Sequence, residues 1–140
     1  MNKVIFLDTN ILIDFIDQSS DGHTSALELM DILFSHGIRP YISPTTFAIT
    51  NYFLGKHLNS KKRVKEFATG FFEGFEISTE NSEMVFQSIE SEFIDLEDGL
   101  QYFSALDAGA DVIVTKNFFD YYASEIPVIH PIHFVNEFDG

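Results

Sequence analysis

At 140 residues, 45% of them hydrophobic, the chain is sized for one domain with a substantial core, which excludes intrinsic disorder. The absence of cysteine excludes a disulfide framework and any thiolate metal site, and it suits a reducing compartment. A formal net charge of −14 works against a nucleic-acid partner, because an acidic surface repels phosphates.

Lys3 to Leu7 is an apolar run ending at Asp8, the pattern of a buried parallel strand. The run is too short for a secretion signal or a membrane span, and no later run reaches spanning length. A soluble protein retained in the cytoplasm is therefore expected. Asn10 to Asp17 predicts a helix, with Ile11, Ile13, Phe15 and Ile16 too dense for an exposed face. Thr24 to Phe34 predicts an amphipathic helix, since Ala26, Leu29, Met30 and Leu33 recur at helical spacing, and Gly37 is its stop. Tyr41 and Ile42 begin a short strand, and Ser43-Pro44 opens a helix carrying Phe47, Ile49, Phe53 and Leu54. A further helix is predicted from about Lys61 to Phe71, then a strand at Phe75 to Ile77 and a helix through Met84, Val85 and Ile89. Asp95 to Leu106 reads as helix, Asp111 to Thr115 as strand, and Pro127 to Ile129 as the last strand. No linker or repeat divides the sequence. Strands alternating with helices place it in the α/β class, as one domain over residues 1–140 with a mainly parallel, twisted sheet. Such sheets bind ligands beyond the carboxyl ends of their strands, which directs attention to the positions just after Leu7, Ile42, Ile77 and Val114.

Carboxylates stand at several of those ends. Asp8 follows the first strand directly; it serves equally as an N-cap or as a metal ligand. Asp95 and Asp98 share a face at the start of the late helix. Asp95 can cap that helix, and acids in its first turn complement the dipole; a hard divalent cation would instead recruit such oxygens from several segments. After the strand at Val112 to Val114 comes a polar turn with an amide at Asn117 and a carboxylate at Asp120, where turn stabilisation and a short helix are the structural alternatives.

Two stretches carry a family resemblance. FLDTNILID (residues 6–14) and DLEDGLQYFSALDAGADVIVTKNFFDY (residues 95–121) resemble the opening and late signatures of the PIN-domain family, including the VapC-like toxins of type II toxin–antitoxin modules. The resemblance implies a three-layer α/β/α fold and a ribonuclease dependent on magnesium or manganese. It makes Asp8 and Asp98 the main metal ligands and Asp95 an accessory one, with Asn117 and Asp120 as secondary members of the site. Thr9, Asn10, Thr46 and Thr115 would give polar support. An RNA substrate, an antitoxin partner and a homodimer follow from the resemblance alone. The sequence departs from the family pattern twice. The acid expected after the second strand falls near Ile49, where only Thr46, Thr50 and Asn51 offer polar contacts, and the last acidic position is Asn117, with Asp120 as a stand-in. Fewer negative ligands weaken metal binding. A PIN-like domain that binds RNA or protein without cutting is thus the alternative reading.

Five of the basic residues, Lys56, Lys61, Lys62, Arg63 and Lys65, crowd into one stretch. They form either a solvated helix face or a local RNA-contacting patch on an acidic body. His130-Pro131-Ile132-His133 offers two imidazoles, fewer than a zinc site needs, and is expected to be a polar C-terminal turn. Phe71 to Phe75 lacks interleaved basic residues and is expected to serve as core or as a subunit contact.

Overall fold

The computed structural model describes residues 3–138. Among them, five short strands alternate with helices: β1 (Ile5–Leu7), β2 (Tyr41–Ile42), β3 (Glu76–Ile77), β4 (Val112–Val114) and β5 (Val128–Ile129). The helices are α1 (Thr9–Ile16), α2 (His23–Ser35), α3 (Pro44–Leu58), α4 (Lys61–Phe71), α5 (Ser82–Glu90), α6 (Leu96–Asp107) and α7 (Pro131–Glu137). All strand pairs are parallel, in the order β3-β2-β1-β4-β5. The chain steps outward from β1 to β3, then returns to lay β4 on the other side of β1. Strand order therefore reverses between β1 and β4, and a crevice opens beyond their carboxyl ends.

The pleat divides the core. Ile5 and Leu7 point to the face covered by α1 and α2, where they meet Ile11, Leu12, Leu29, Met30 and Leu33. Phe6 points to the opposite face and packs with Phe93, Tyr102, Ala105, Ile113 and Tyr121 beneath α6. The result is the three-layer α/β/α arrangement, with nearly all of these side chains excluded from solvent by the hydrophobic effect. Among the described residues, no helix is long and apolar enough to cross a membrane.

Glycine in the left-handed region ends two helices. Gly37 (φ 69°) lets the Ile38 N–H reach the Leu33 carbonyl at 2.8 Å, and Gly109 (φ 73°) does the same for Ala110 and Ala105 at 3.0 Å. Each closure turns the chain straight back into the sheet.

Three expectations are corrected at their edges. The first strand is shorter than the apolar run, because Lys3 is exposed and Val4 is engaged by the Asp111 side chain. The first helix begins at Thr9 rather than Asn10. His130 to His133 is not a turn: His130 Nδ1 accepts from the Ile132 N–H at 3.1 Å and so caps α7, with Pro131 at the first helical position. Phe71 and Phe72 pack against the core beside the buried Phe75, as the sequence suggests.

Candidate active site

Asp8 leaves the sheet at the end of β1 with only 3% of its surface exposed. Three donors fix its carboxylate: the Thr9 N–H at 2.7 Å, the Asn10 side-chain amide at 3.0 Å and the Thr115 hydroxyl at 2.8 Å. Thr115 follows β4, so β1 and β4 jointly orient the acid. Burial pushes the Asp8 pKa above the ordinary value, and these hydrogen bonds pull partly against it. Asn10 also accepts from the Lys116 N–H, and Asn117 donates its N–H to Thr115, which stitches the following turn to the same group. Thr9 supports Asp8 through its backbone only. Its hydroxyl turns the other way, to Thr46 at 2.7 Å.

The start of α6 supplies the facing acids. Asp95 caps the helix by accepting from the Asp98 N–H at 3.1 Å. Asp98 stands half-buried in the crevice, its pKa raised to about 7 by burial and then by the negative charges of Asp8, Asp95, Asp120 and Glu97. Glu97 is raised as well, by burial first and then by Asp8, Asp95 and Glu80. Asp120 projects from the 3-10 turn after β4 (Phe118–Tyr121), whereas the exposed Asn117 precedes that turn and joins the site through its backbone. The structure therefore brings Asp8, Asp98, Asp95 and Asp120 into one electrostatic neighbourhood from three distant segments.

Other residues were not marked as site residues by the sequence. Gln101, fully buried on α6, donates to the hydroxyls of Thr9 at 2.9 Å and Thr46 at 2.8 Å, tying α1, α3 and α6 together behind Asp8. Thr46 is thus a scaffold residue one layer behind the carboxylate. No acid comes from Ile49, but Glu80, three residues beyond β3, binds the Thr45 N–H and hydroxyl at 3.0 and 2.8 Å and faces Glu97. The strand-end rule pointed to that segment without naming the residue. Tyr121 is buried to 2% exposure with its hydroxyl turned to the Asp8 carboxylate, whose pKa it helps to pull down.

The donor set suits magnesium or manganese in chemistry and charge: hard oxygens only, gathered with little positive charge to offset them. Lys116 lies on the adjoining turn, but its ammonium is held by the buried Asp14 at 2.6 Å. Asp8 accepts three hydrogen bonds, leaving about one of its four lone-pair positions open. As they stand, no three acidic or histidine side chains among the described residues are close enough together to hold a metal ion. The acids share a field without forming a closed set of ligands.

The basic cluster lies apart from this crevice. α3 begins beside it and runs away at about 1.5 Å per residue, so Lys56 stands roughly 18 Å along the helix from Pro44. Lys61, Lys62, Arg63 and Lys65 continue the patch on α4, all exposed.

Residues 4–118 match the model of a PIN domain. No curated relative matches the chain. Among solved structures, FitAcB from Neisseria gonorrhoeae superposes with a TM-score of 0.66 at 19% identity, covering 93% of this chain and 99% of that one. A toxin–antitoxin complex from Klebsiella pneumoniae gives 0.65 at 22% identity, with 92% and 98% covered. Mycobacterium tuberculosis VapC20, a sarcin–ricin-loop-cleaving toxin, gives 0.62 at 12% identity, with 84% and 95% covered. At such identities the likeness speaks for the fold, and the fold is the one derived above. By the match over most of its length, this chain belongs to the PIN-domain family.

Proposed function

We propose that the protein is a divalent-metal-dependent endoribonuclease centred on Asp8 and Asp98, with Asp95, Asn117 and Asp120 as secondary members. The observation that carries this reading is the buried, three-fold hydrogen-bonded Asp8 at the point where strand order reverses, with the acids at the start of α6 near enough for Asp8 to help raise Asp98. Negative charge assembled at such a cost from segments far apart in sequence is what cation binding repays. Asp8, Asp98 and Asp95 are the residues that would hold magnesium or manganese, and such an ion would supply water activation and charge stabilisation at the scissile phosphate. The chain's own residues do the positioning. Thr9, Asn10 and Thr115 lock the Asp8 rotamer, and the Gln101–Thr9–Thr46 network keeps α6 at a fixed distance from β1.

The same reading makes the protein the toxin of a type II toxin–antitoxin module, active in the cytoplasm as a homodimer and neutralised by an antitoxin that inserts a basic side chain among the acids. The likeness of its fold to a toxin and to a toxin–antitoxin complex supports this role. The test is cleavage of single-stranded and structured RNA with manganese or magnesium by wild type, Asp8→Ala and Asp98→Ala. Loss of at least a hundredfold in both variants is expected; equal rates in all three reject the site.

A second reading, a PIN domain that binds without cutting, is favoured by Ile49 at the expected acidic position and by the absence of three converging acids among the described residues. Calorimetric titration with manganese separates the two: a folded wild-type protein that takes up no manganese supports the second.

A further inference from the structure

Asp14 stands on α1, one helical turn beyond Asn10, with 4% of its surface exposed. Its carboxylate meets one hydroxyl and one ammonium: Ser20 donates to Oδ1 at 2.5 Å, and Lys116 Nζ lies 2.6 Å from Oδ2. The loop that follows α1 folds over this pair. His23 Nδ1 donates to the Asp14 carbonyl at 2.9 Å, and a Cβ built at Gly22 would collide with Asp14 Oδ2 and lie 3.2 Å from Lys116 Cδ. An ion pair enclosed in this way adds little to stability, because a well-packed apolar pair of similar volume often serves as well or better. What it adds is position.

α1 grips residue 116 at two points. Asn10 accepts from the Lys116 N–H at 3.3 Å, and Asp14, on the same helix face, holds the Lys116 ammonium. Residue 116 in turn follows Thr115, whose hydroxyl donates to Asp8 at 2.8 Å and accepts from the Asn117 N–H at 3.0 Å. From Asn117 to Asp120 the chain is exposed, so little packing fixes the turn and its polar tethers must. A carboxylate is only as well directed as the groups that hydrogen-bond to it.

We propose that Asp14 is a positioning residue for the cleavage site: by holding Lys116 it fixes the turn after β4, and with it the Thr115 hydroxyl that orients the Asp8 carboxylate. This role rests on the ribonuclease reading and extends it to an acid one layer behind the crevice.

The test compares wild type with Asp14→Asn, Lys116→Met and the double variant. Ser20→Ala joins them as a milder change that keeps both charges and removes only the hydroxyl on Asp14. Melting temperature, manganese affinity by calorimetry, and kcat and KM on a single-stranded RNA are measured where each variant is folded. Either single substitution is expected to lose about tenfold in manganese affinity and in kcat with KM within about twofold, the lower end of what groups behind a metal ligand contribute. The double variant should lose no more than the worse single one, because both changes cut the same tether. Ser20→Ala should show a smaller loss of the same kind. Variants that melt lower but, once folded, bind manganese and cleave like wild type overturn the role and leave the nuclease reading intact. Losses that add in the double variant do the same. If the charge variants fail to fold, Ser20→Ala decides alone, and unchanged affinity and kcat there reject the role. Weaker manganese binding in the variants of a protein that never cleaves supports Asp14 and rejects the nuclease. A wild type that neither takes up manganese nor cleaves rejects both.

Discussion

Asp98 shows how a single residue of this crevice is held there at a cost in stability. Its carboxyl is moved from the ordinary 3.8 to about 7, so between those values the folded protein keeps a proton that the unfolded chain has released. A group whose folded pKa is raised stabilises the fold at low pH, and that contribution disappears as pH rises through the window. Asp8 and Glu97 are shifted in the same direction, and because the acids interact, the titration belongs to the cluster rather than to one member. Melting temperature is expected to fall by several degrees between pH 5.5 and pH 8. Asp98→Asn should flatten that slope and raise the melting temperature at pH 8. Manganese should do the same for the wild type at pH 8, since a cation and a proton compete for the same oxygens, but not for Asp98→Asn. A wild-type melting temperature that climbs with pH across this range would contradict the placement of these acids.

The elements fix where those residues stand, and α6 does so through contact with α5. A Cβ built at Gly99 would lie 2.3 Å from the Ser88 hydroxyl, 3.2 Å from Ser88 Cβ and 3.4 Å from Phe93 Cβ. The glycine follows Asp98 directly, so any shift that relieves the clash moves the acid as well. Gly99→Ala should therefore destabilise by about 1–3 kcal/mol, the usual cost of overpacking, and lower cleavage by more than the stability loss explains. Thermal melts alongside activity at a temperature where both proteins are folded would check this; unchanged melting would mean that the helices have slack. The sequence made this level of organisation largely readable. Apolar runs of strand length, the helical spacing of Ala26 to Leu33 and the stop at Gly37 all report local physics, and the structure follows them. What escaped reading depends on partners distant in sequence. Gln101 looks like an ordinary polar helix residue until β-sheet order brings Thr9 and Thr46, 92 and 55 positions away, against it. Asp8 alone fits cap or ligand, and only Thr115, 107 positions on, shows a carboxylate held by more than its own helix. α7 escaped because a proline beside a histidine looks like a turn, although His130 caps the helix and Pro131 begins it.

At the scale of the whole molecule, the proposed ribonuclease activity requires a chain of net charge −14 to bring a polyanion to an acidic crevice. Of its basic side chains, Arg39 is paired with Glu76 at 3.4 Å and Lys116 with Asp14 at 2.6 Å. Lys56, Lys61, Lys62, Arg63 and Lys65 stand exposed along the α3–α4 hairpin, and none of them is in a salt bridge among the described residues. Positive potential for docking RNA is thus concentrated on that arm, from which a strand would have to reach back along α3 to the crevice. Binding through it releases counterions, and each phosphate contact on a single strand contributes about 0.7 to the dependence of log K on log salt. Replacing Lys61, Lys62, Arg63 and Lys65 together with Gln should weaken RNA binding and flatten that slope by up to about 3, if all four touch phosphates. The change should be tolerated structurally, because α4 has no buried residue. At saturating RNA the cleavage rate should stay close to wild type, since none of the four lies near Asp8 or Asp98. Anisotropy titrations from low to moderate salt, with Asp98→Asn as the uncut background, give the slope directly. An unchanged slope and affinity would make α4 a solvated face and move the RNA path elsewhere on the surface.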